Sequence, residues 1–148
     1  MFDHILIPTD GSEPSRKAAR KGVDMAAVHG ATVHLMYAME PIPLGGFTAG
    51  PEPASAEHSS FVEKQREEGQ EAIDDVAAYA EEAGVDVVEA IEGGRPSEAI
   101  VEYAEDEGID LIVMGTHGRS GAGRLMLGSV AEKVVRRSPV PVMTVKTE

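Results

Sequence analysis

Five glycines fall within fifteen residues in the stretch Gly115-Thr116-His117-Gly118-Arg119-Ser120-Gly121-Ala122-Gly123-Arg124-Leu125-Met126-Leu127-Gly128-Ser129. Glycine lets the backbone approach a ligand and turn its amides inward, and Arg119 and Arg124 add positive charge, so by composition the segment is a phosphate cradle. It is not a Walker A loop, because Gly123 is followed by Arg124 and Leu125 where that motif needs Lys and then Ser or Thr. Nor does it carry the glycine spacing of a dinucleotide fingerprint after a first strand. The remaining chemistry-bearing residues offer less. His4, His29, His34, His58 and His117 show no metal-binding spacing, and only His117 falls in the glycine-rich stretch, without a convincing role as a base. The chain has no cysteine, which removes disulfides, thiolate catalysis and thiolate-rich zinc sites. Nothing pairs the many carboxylates for acid and base work, so a binding function is expected ahead of an enzymatic one.

The elements that must position this cradle follow from periodicity. Ile5 to Ile7 reads as a buried strand running into a loop at Pro8, Thr9, Asp10 and Gly11. Ser12 reads as a helix N-cap, with Pro14 in the first turn, Ala18, Ala19, Val23, Ala26 and Ala27 at helical spacing, and Gly30 as the stop. Val33 to Met39 is a second strand. Residues 40 to 58, with four prolines and three glycines, form a connection longer than a passive loop and are expected to be mobile or functional. A helix is predicted from Phe61 to Ala83 with Ile73, Val76, Ala77 and Ala80 inward, then a strand from Val85 to Ile91. Pro96 opens a helix carrying Ala99, Ile100, Tyr103 and Ala104 inward, Gly108 closes it, and Leu111 to Met114 is the clearest buried strand. A helix from Ser129 to Arg137 and a last strand from Val140 to Val145, with Pro141 marking an edge, complete the pattern. Strands alternating with helices predict a single α/β domain, a parallel sheet with helices on both faces. In such sheets ligands sit beyond the carboxyl ends of the strands at the switch point, which selects Pro8 to Gly11 and Gly115 to Ser129.

Charge first argues against a phosphate ligand and then allows one. The 148 residues hold 13 basic and 26 acidic side chains, a net charge of -13, which disfavours nucleic acid and anionic lipid as partners. Residues 52 to 110 alone carry 19 acids and 3 bases, so the rest of the chain, cradle included, has a net charge of +3. So acidic a composition suggests a protein suited to high salt, where screening tolerates dense negative charge. No apolar run is long enough to span a bilayer, and the start lacks the pattern of a secretory signal, so a cytoplasmic protein is expected.

Gly115, Gly118, Gly128 and Ser129 fill a pattern of glycine, two residues, glycine, nine residues and Gly-Ser that resembles the nucleotide-binding branch of the universal stress protein family. The opening Ile-Leu-Ile-Pro-Thr-Asp-Gly-Ser, the Leu-Ile-Val-Met-Gly-Thr-His-Gly stretch and the closing Ser138-Pro139-Val140-Pro141-Val142 are similar to that family in the same order. The resemblance implies a five-stranded, Rossmann-like sheet of order 3-2-1-4-5, a homodimer through the last strand (Val140 to Val145), and bound ATP or another adenine nucleotide. Magnesium or manganese would then be held mainly through the phosphates. On this reading Asp10 accepts hydrogen bonds from adenosine, Pro8 and Thr9 line the pocket, and Ala38 offers backbone groups to the adenine edge. Met114 borders the nucleoside, Arg119 adds charge, and the amides of Gly115, Gly118, Gly128, Ser129 and Val130 meet ribose and phosphates at the positive end of the last helix.

Each role has a structural rival. Asp10 could cap the first helix, Ser129 and Glu132 spell a capping box, Gly121 and Gly123 could only loosen a loop, and Arg119 and Arg124 could be plain surface. Lys133, Arg136 and Arg137 suit the negative end of the last helix. Function divides accordingly among a nucleotide-dependent regulatory module, a slow ATPase, and a ligand-free dimerisation partner. A phospho-accepting receiver ranks last, because Thr9 stands where its second acid would be.

Overall fold

The computed structural model describes residues 1–39, 56–116 and 128–146. Its elements are β1 (His4–Thr9), α1 (Glu13–His29), β2 (Thr32–Ala38), α2 (Ala56–Glu82), β3 (Val87–Glu92), α3 (Pro96–Asp106), β4 (Leu111–Gly115), α4 (Ser129–Arg137) and β5 (Val142–Val145). The five strands form one parallel sheet of order β3-β2-β1-β4-β5, as expected. Strand alternation divides the core. Ile5, Ile7, Val33, Leu35, Tyr37, Leu111 and Val113 pack against α1 and α2 on one face, while Leu6, Met36, Ile112 and Met114 pack against α3 and α4 on the other. Burial on both faces explains why the central strands read as unbroken apolar runs.

The helix ends follow local chemistry. Ser12 caps α1, its hydroxyl accepting from the Ser15 amide at 3.3 Å, with Glu13 and Pro14 in the first turn. We expect Ser12→Ala to cost about 1 kcal/mol, seen as a fall of about 3 °C in the thermal midpoint, with no change in the folded-state spectrum. Gly30, Gly84 and Gly108 all take positive φ, and each is followed by a buried apolar residue whose amide returns to the helix: Ala31 to Ala26, Val85 to Ala80, Ile109 to Ala104. The repeated glycine plus apolar residue satisfies orphan carbonyls while anchoring the exit to the core.

Several boundaries differ from the sequence expectation. Val85 is core but lies in the exit from α2, so β3 starts two residues later. Helix α2 begins at Ala56, which removes the last residues of the expected 40–58 connection from it; residues 40–55 lie outside the described residues. Ala27 faces outward, and Gly22 takes the buried place beside Val23. The last strand starts at Val142 rather than Val140. Pro141 has no amide to give, but its carbonyl accepts from Ile112 at 3.0 Å as the chain enters edge strand β5.

Candidate functional site at the sheet switch point

The chain leaves β1 toward β2 and β3, then crosses to β4 on the other side, so the switch point lies between β1 and β4. Here the sheet opens. The β1–β2 register runs to Thr9↔Tyr37, whereas the paired residues of β1 and β4 are Ile5↔Leu111 and Leu6↔Ile112. Pro8 supplies a reason. The Asp3 carbonyl accepts from Thr32 on the β2 side and the His4 carbonyl accepts from Asp110 on the β4 side, so even-numbered residues of β1 turn their backbone toward β4. Pro8 therefore lacks its amide on the side where the ladder stops. The sequence reading placed Pro8 after the strand; it lies within β1, buried, and the opening it makes is one wall of the crevice.

The same alternation puts Pro8, Ala38 and Met114 on the α3/α4 face near the carboxyl ends of their strands, giving an apolar floor. Odd-numbered β2 residues face β3, since Val33 donates to Asp86 and Met39 to Glu92. The Ala38 backbone thus turns to the β1 side, where the β1–β2 register ends. Thr9 lies on the opposite face, buried, its hydroxyl 2.8 Å from the Ser15 hydroxyl and accepting from the Gly11 amide at 3.2 Å. Its side chain braces α1 and does not line the floor. Asp10 does not cap α1, a place held by Ser12. Its Oδ1 accepts from the Ser12 amide at 2.9 Å, and this local turn holds the half-buried carboxylate at the mouth of the crevice.

Across the opening, Gly128 donates its amide to the Thr116 carbonyl, closing β4 onto the start of α4, while the Thr116 amide donates to Val145 at 3.1 Å. Gly128 is the N-cap of α4, and among the described residues no side chain caps the helix. This corrects two expectations. Ser129 is the first helical residue instead of the cap, so no capping box forms, and Glu132 pairs instead with Arg136 at 2.7 Å one turn on. The Gly128 amide is spent within the chain. The donors that α4 can present are the first-turn amides of Ser129, Val130 and Ala131, which have no intrahelical partner, at the positive end of the helix. Gly118 and Arg119 lie outside the described residues, as do His117, Gly121, Gly123 and Arg124.

The basic excess is less available than net charge suggests. Arg16 and Arg20 of α1 reach across to Asp75 of α2, at 3.9 and 3.4 Å, and so serve the acidic helix. Exposed pairs of this kind contribute little energy, but they keep both guanidinium groups on the α1/α2 face, away from the floor. Among the described residues no group of three or more His, Asp or Glu forms a metal site.

A parallel five-stranded sheet wound in this order, with its opening between β1 and β4, defines a Rossmann-like α/β domain. The chain belongs to the universal stress protein family, whose sequence model matches residues 1–146. It is 40% identical over 146 residues to the universal stress protein MJ0531 of Methanocaldococcus jannaschii, covering 99% of this chain and 83% of that one. The fold superposes on a solved hypothetical protein, MJ0577, with a TM-score of 0.85 and 30% identity, covering 100% and 98% of the two chains. A universal stress protein solved in complex with cAMP matches with a TM-score of 0.73 and 27% identity over 99% of each chain.

Proposed function

We propose that the chain binds an adenine nucleotide, ATP above all, in the crevice between β1 and β4 and serves as a nucleotide-dependent regulatory module. The carrying observation is the meeting, at one opening, of an apolar floor, a fixed carboxylate and a helix start with no side-chain cap. These three parts suit the three parts of a nucleotide. Pro8, Ala38 and Met114 offer a surface to the base, with the Ala38 backbone at its edge. Asp10 accepts from hydroxyls, since an ionised carboxylate is an acceptor with about four positions and the Ser12 amide is one partner that fixes its orientation. The amides of Ser129 and Val130 receive phosphate, a role that any helix start of this kind can fill. A related protein complexed with cAMP supports the same ligand class. Magnesium or manganese would be held by phosphate oxygens and water. Among the described residues edge strand β5 pairs with β4 alone, and Val142, Met143 and Val145 are partly buried, which favours a homodimer through it. No helix of the described residues is long and apolar enough to cross a membrane.

Binding is read ahead of catalysis because the groups at the crevice are those that hold a base, hydroxyls and phosphate. The test uses the weak intrinsic absorbance of a chain with no Trp and three Tyr. Protein freed of nucleotide should gain several degrees of thermal midpoint on adding Mg-ATP at about one hundred times the dissociation constant, and less with Mg-GTP. No shift with any adenine nucleotide, together with a purified protein free of absorbance at 260 nm, would reject the reading.

A further inference from the structure

At the opposite end of the sheet from the crevice, three side chains join the beginnings of β1 and β2 to the end of α3. His4 Nδ1 lies 3.2 Å from His34 Nε2, and His34 Nδ1 lies 2.9 Å from the Tyr103 hydroxyl. The rings meet edge to face, with centroids 5.3 Å apart for the two histidines and 5.7 Å for His34 and Tyr103. His34 is only 5% exposed, while His4 reaches solvent. The backbone tightens the same junction: the Asp110 carboxylate accepts from the Asp3 and His4 amides, and the Asp110 amide donates to the His4 carbonyl at 2.9 Å. The turn from α3 into β4 is thus tied to the start of β1 twice.

The hydrogen-bond arithmetic of this chain is restrictive. With both imidazoles neutral the bonds can run in either direction: the Tyr103 hydroxyl donates to His34 Nδ1 and His34 Nε2–H to His4 Nδ1, or His4 Nδ1–H donates to His34 Nε2 and His34 Nδ1–H to the tyrosine oxygen. One added proton is also accommodated, because whichever ring carries it donates to the facing nitrogen of the other while His34 Nδ1–H donates to the tyrosine oxygen. A second proton leaves no arrangement. Both facing nitrogens then carry hydrogen, and two positive rings stand 3.2 Å apart with one of them buried.

We propose that His4, His34 and Tyr103 form a proton-operated clasp, which tolerates one proton and is opened by the second, releasing the end of α3 and the turn into β4 under acidic conditions. Burial, and then the neighbouring His4, hold the His34 imidazole below its ordinary value of 6.5, partly offset by the Glu107 carboxylate. Burial raises the Tyr103 phenol, with Glu107 and Glu92 adding to it, so the phenol stays protonated and able to bond. The groups facing His34 are His4 from β1, Tyr103 from α3 and Glu107 at the C-cap of α3, while its register partners in β1 and β3, Leu6 and Val88, carry no charge. The sign follows from the lowered histidine. The unfolded chain takes up more protons than the folded one, so the clasp's contribution is complete above 6.5 and is lost as pH falls below it.

Hydrogen exchange and imidazole titration by NMR, on the full chain without nucleotide, test the clasp directly. Between pH 7.5 and 5, protection of amides in residues 104 to 110 should fall about tenfold more than that of the β1–β2 ladder, after correction for intrinsic exchange. His4→Gln keeps a polar side chain at an exposed position but removes one charge. In that variant the extra loss should be clearly smaller than in the parent chain, and the His34 midpoint should rise toward its ordinary value. His34→Gln removes the buried base and should also abolish the extra loss. Equal loss of protection in the parent chain and both variants, or a His34 midpoint unmoved by His4→Gln, overturns the proposal.

Discussion

Asp10→Ala is expected to weaken adenine nucleotide binding by about 10- to 100-fold, which corresponds to about 1–3 kcal/mol for the loss of an ionised acceptor. On the proposed reading Asp10 has two duties, one toward the ligand and one within the chain. Its Oδ1 accepts from the Ser12 amide at 2.9 Å and so shapes the turn that starts α1. Asp10→Asn separates the two, because the amide oxygen can still accept from Ser12 while a donor replaces the second acceptor and the charge is removed. We expect the asparagine variant to keep the parent's unfolding midpoint within about 1 °C and still lose most of the affinity, whereas alanine should lose both. Titration calorimetry with Mg-ATP at one fixed salt concentration supplies the comparison. If Asp10→Asn binds as tightly as the parent while Asp10→Ala binds weakly only in proportion to its loss of stability, Asp10 is a turn residue and the ribose contact is wrong.

The pair Asp10 and Ser12 also shows what the sequence could and could not disclose. Ser12 as cap was legible because a cap needs only a hydroxyl, a following proline and a downstream apolar stripe, all local in the chain. The glycine stops were legible for the same reason. The order of the five strands came from the family resemblance, which local pattern alone would not have given. What could not be read was anything set by register. Pro8 looked like the end of a strand because proline usually is one, yet it sits inside β1, where the ladder to β4 can end without leaving an unmet partner. Ser129 and Glu132 had the spacing of a capping box, but Gly128, bonded to Thr116, already holds the cap position, and the glutamate finds Arg136 more directly. Thr9 was assigned to the pocket although alternation along β1 turns it to α1. His4 and His34 are thirty residues apart with no motif between them, and only the pairing of His4 with Thr32 places the two rings on one face of adjacent strands.

Gly69→Ala should destabilise the fold even though alanine is the better helix former. Gly69 lies in α2 directly over Tyr37, and a Cβ built on it would stand 2.4, 2.8 and 2.9 Å from three ring carbons. Tyr37 cannot step aside easily, being 1% exposed and held in β2 between Thr9 of β1 and Ile91 of β3. Either the ring leaves its rotamer or α2 lifts from the sheet, and overpacking of this kind costs about 1–3 kcal/mol. The helix propensity of alanine returns about 1 kcal/mol of that, leaving a net loss. Gly22 in α1 is the matched comparison. A Cβ there would meet Ile7 Cδ1 at 2.6 Å, Ile7 Cγ1 at 3.0 Å and Val113 Cβ at 3.3 Å, and the closest of these is the end of an aliphatic side chain rather than an aromatic ring. Gly22→Ala should therefore cost less than Gly69→Ala, the propensity gain offsetting more of the repacking. Urea unfolding of the two variants beside the parent decides the matter, with Gly69→Ala expected to have the lower midpoint at an unchanged slope. A Gly69→Ala chain as stable as the parent would mean that the aromatic ring has room to move. The end of β2, and with it the Ala38 backbone next in the chain, would then be held less firmly over the crevice than the packing of Tyr37 implies.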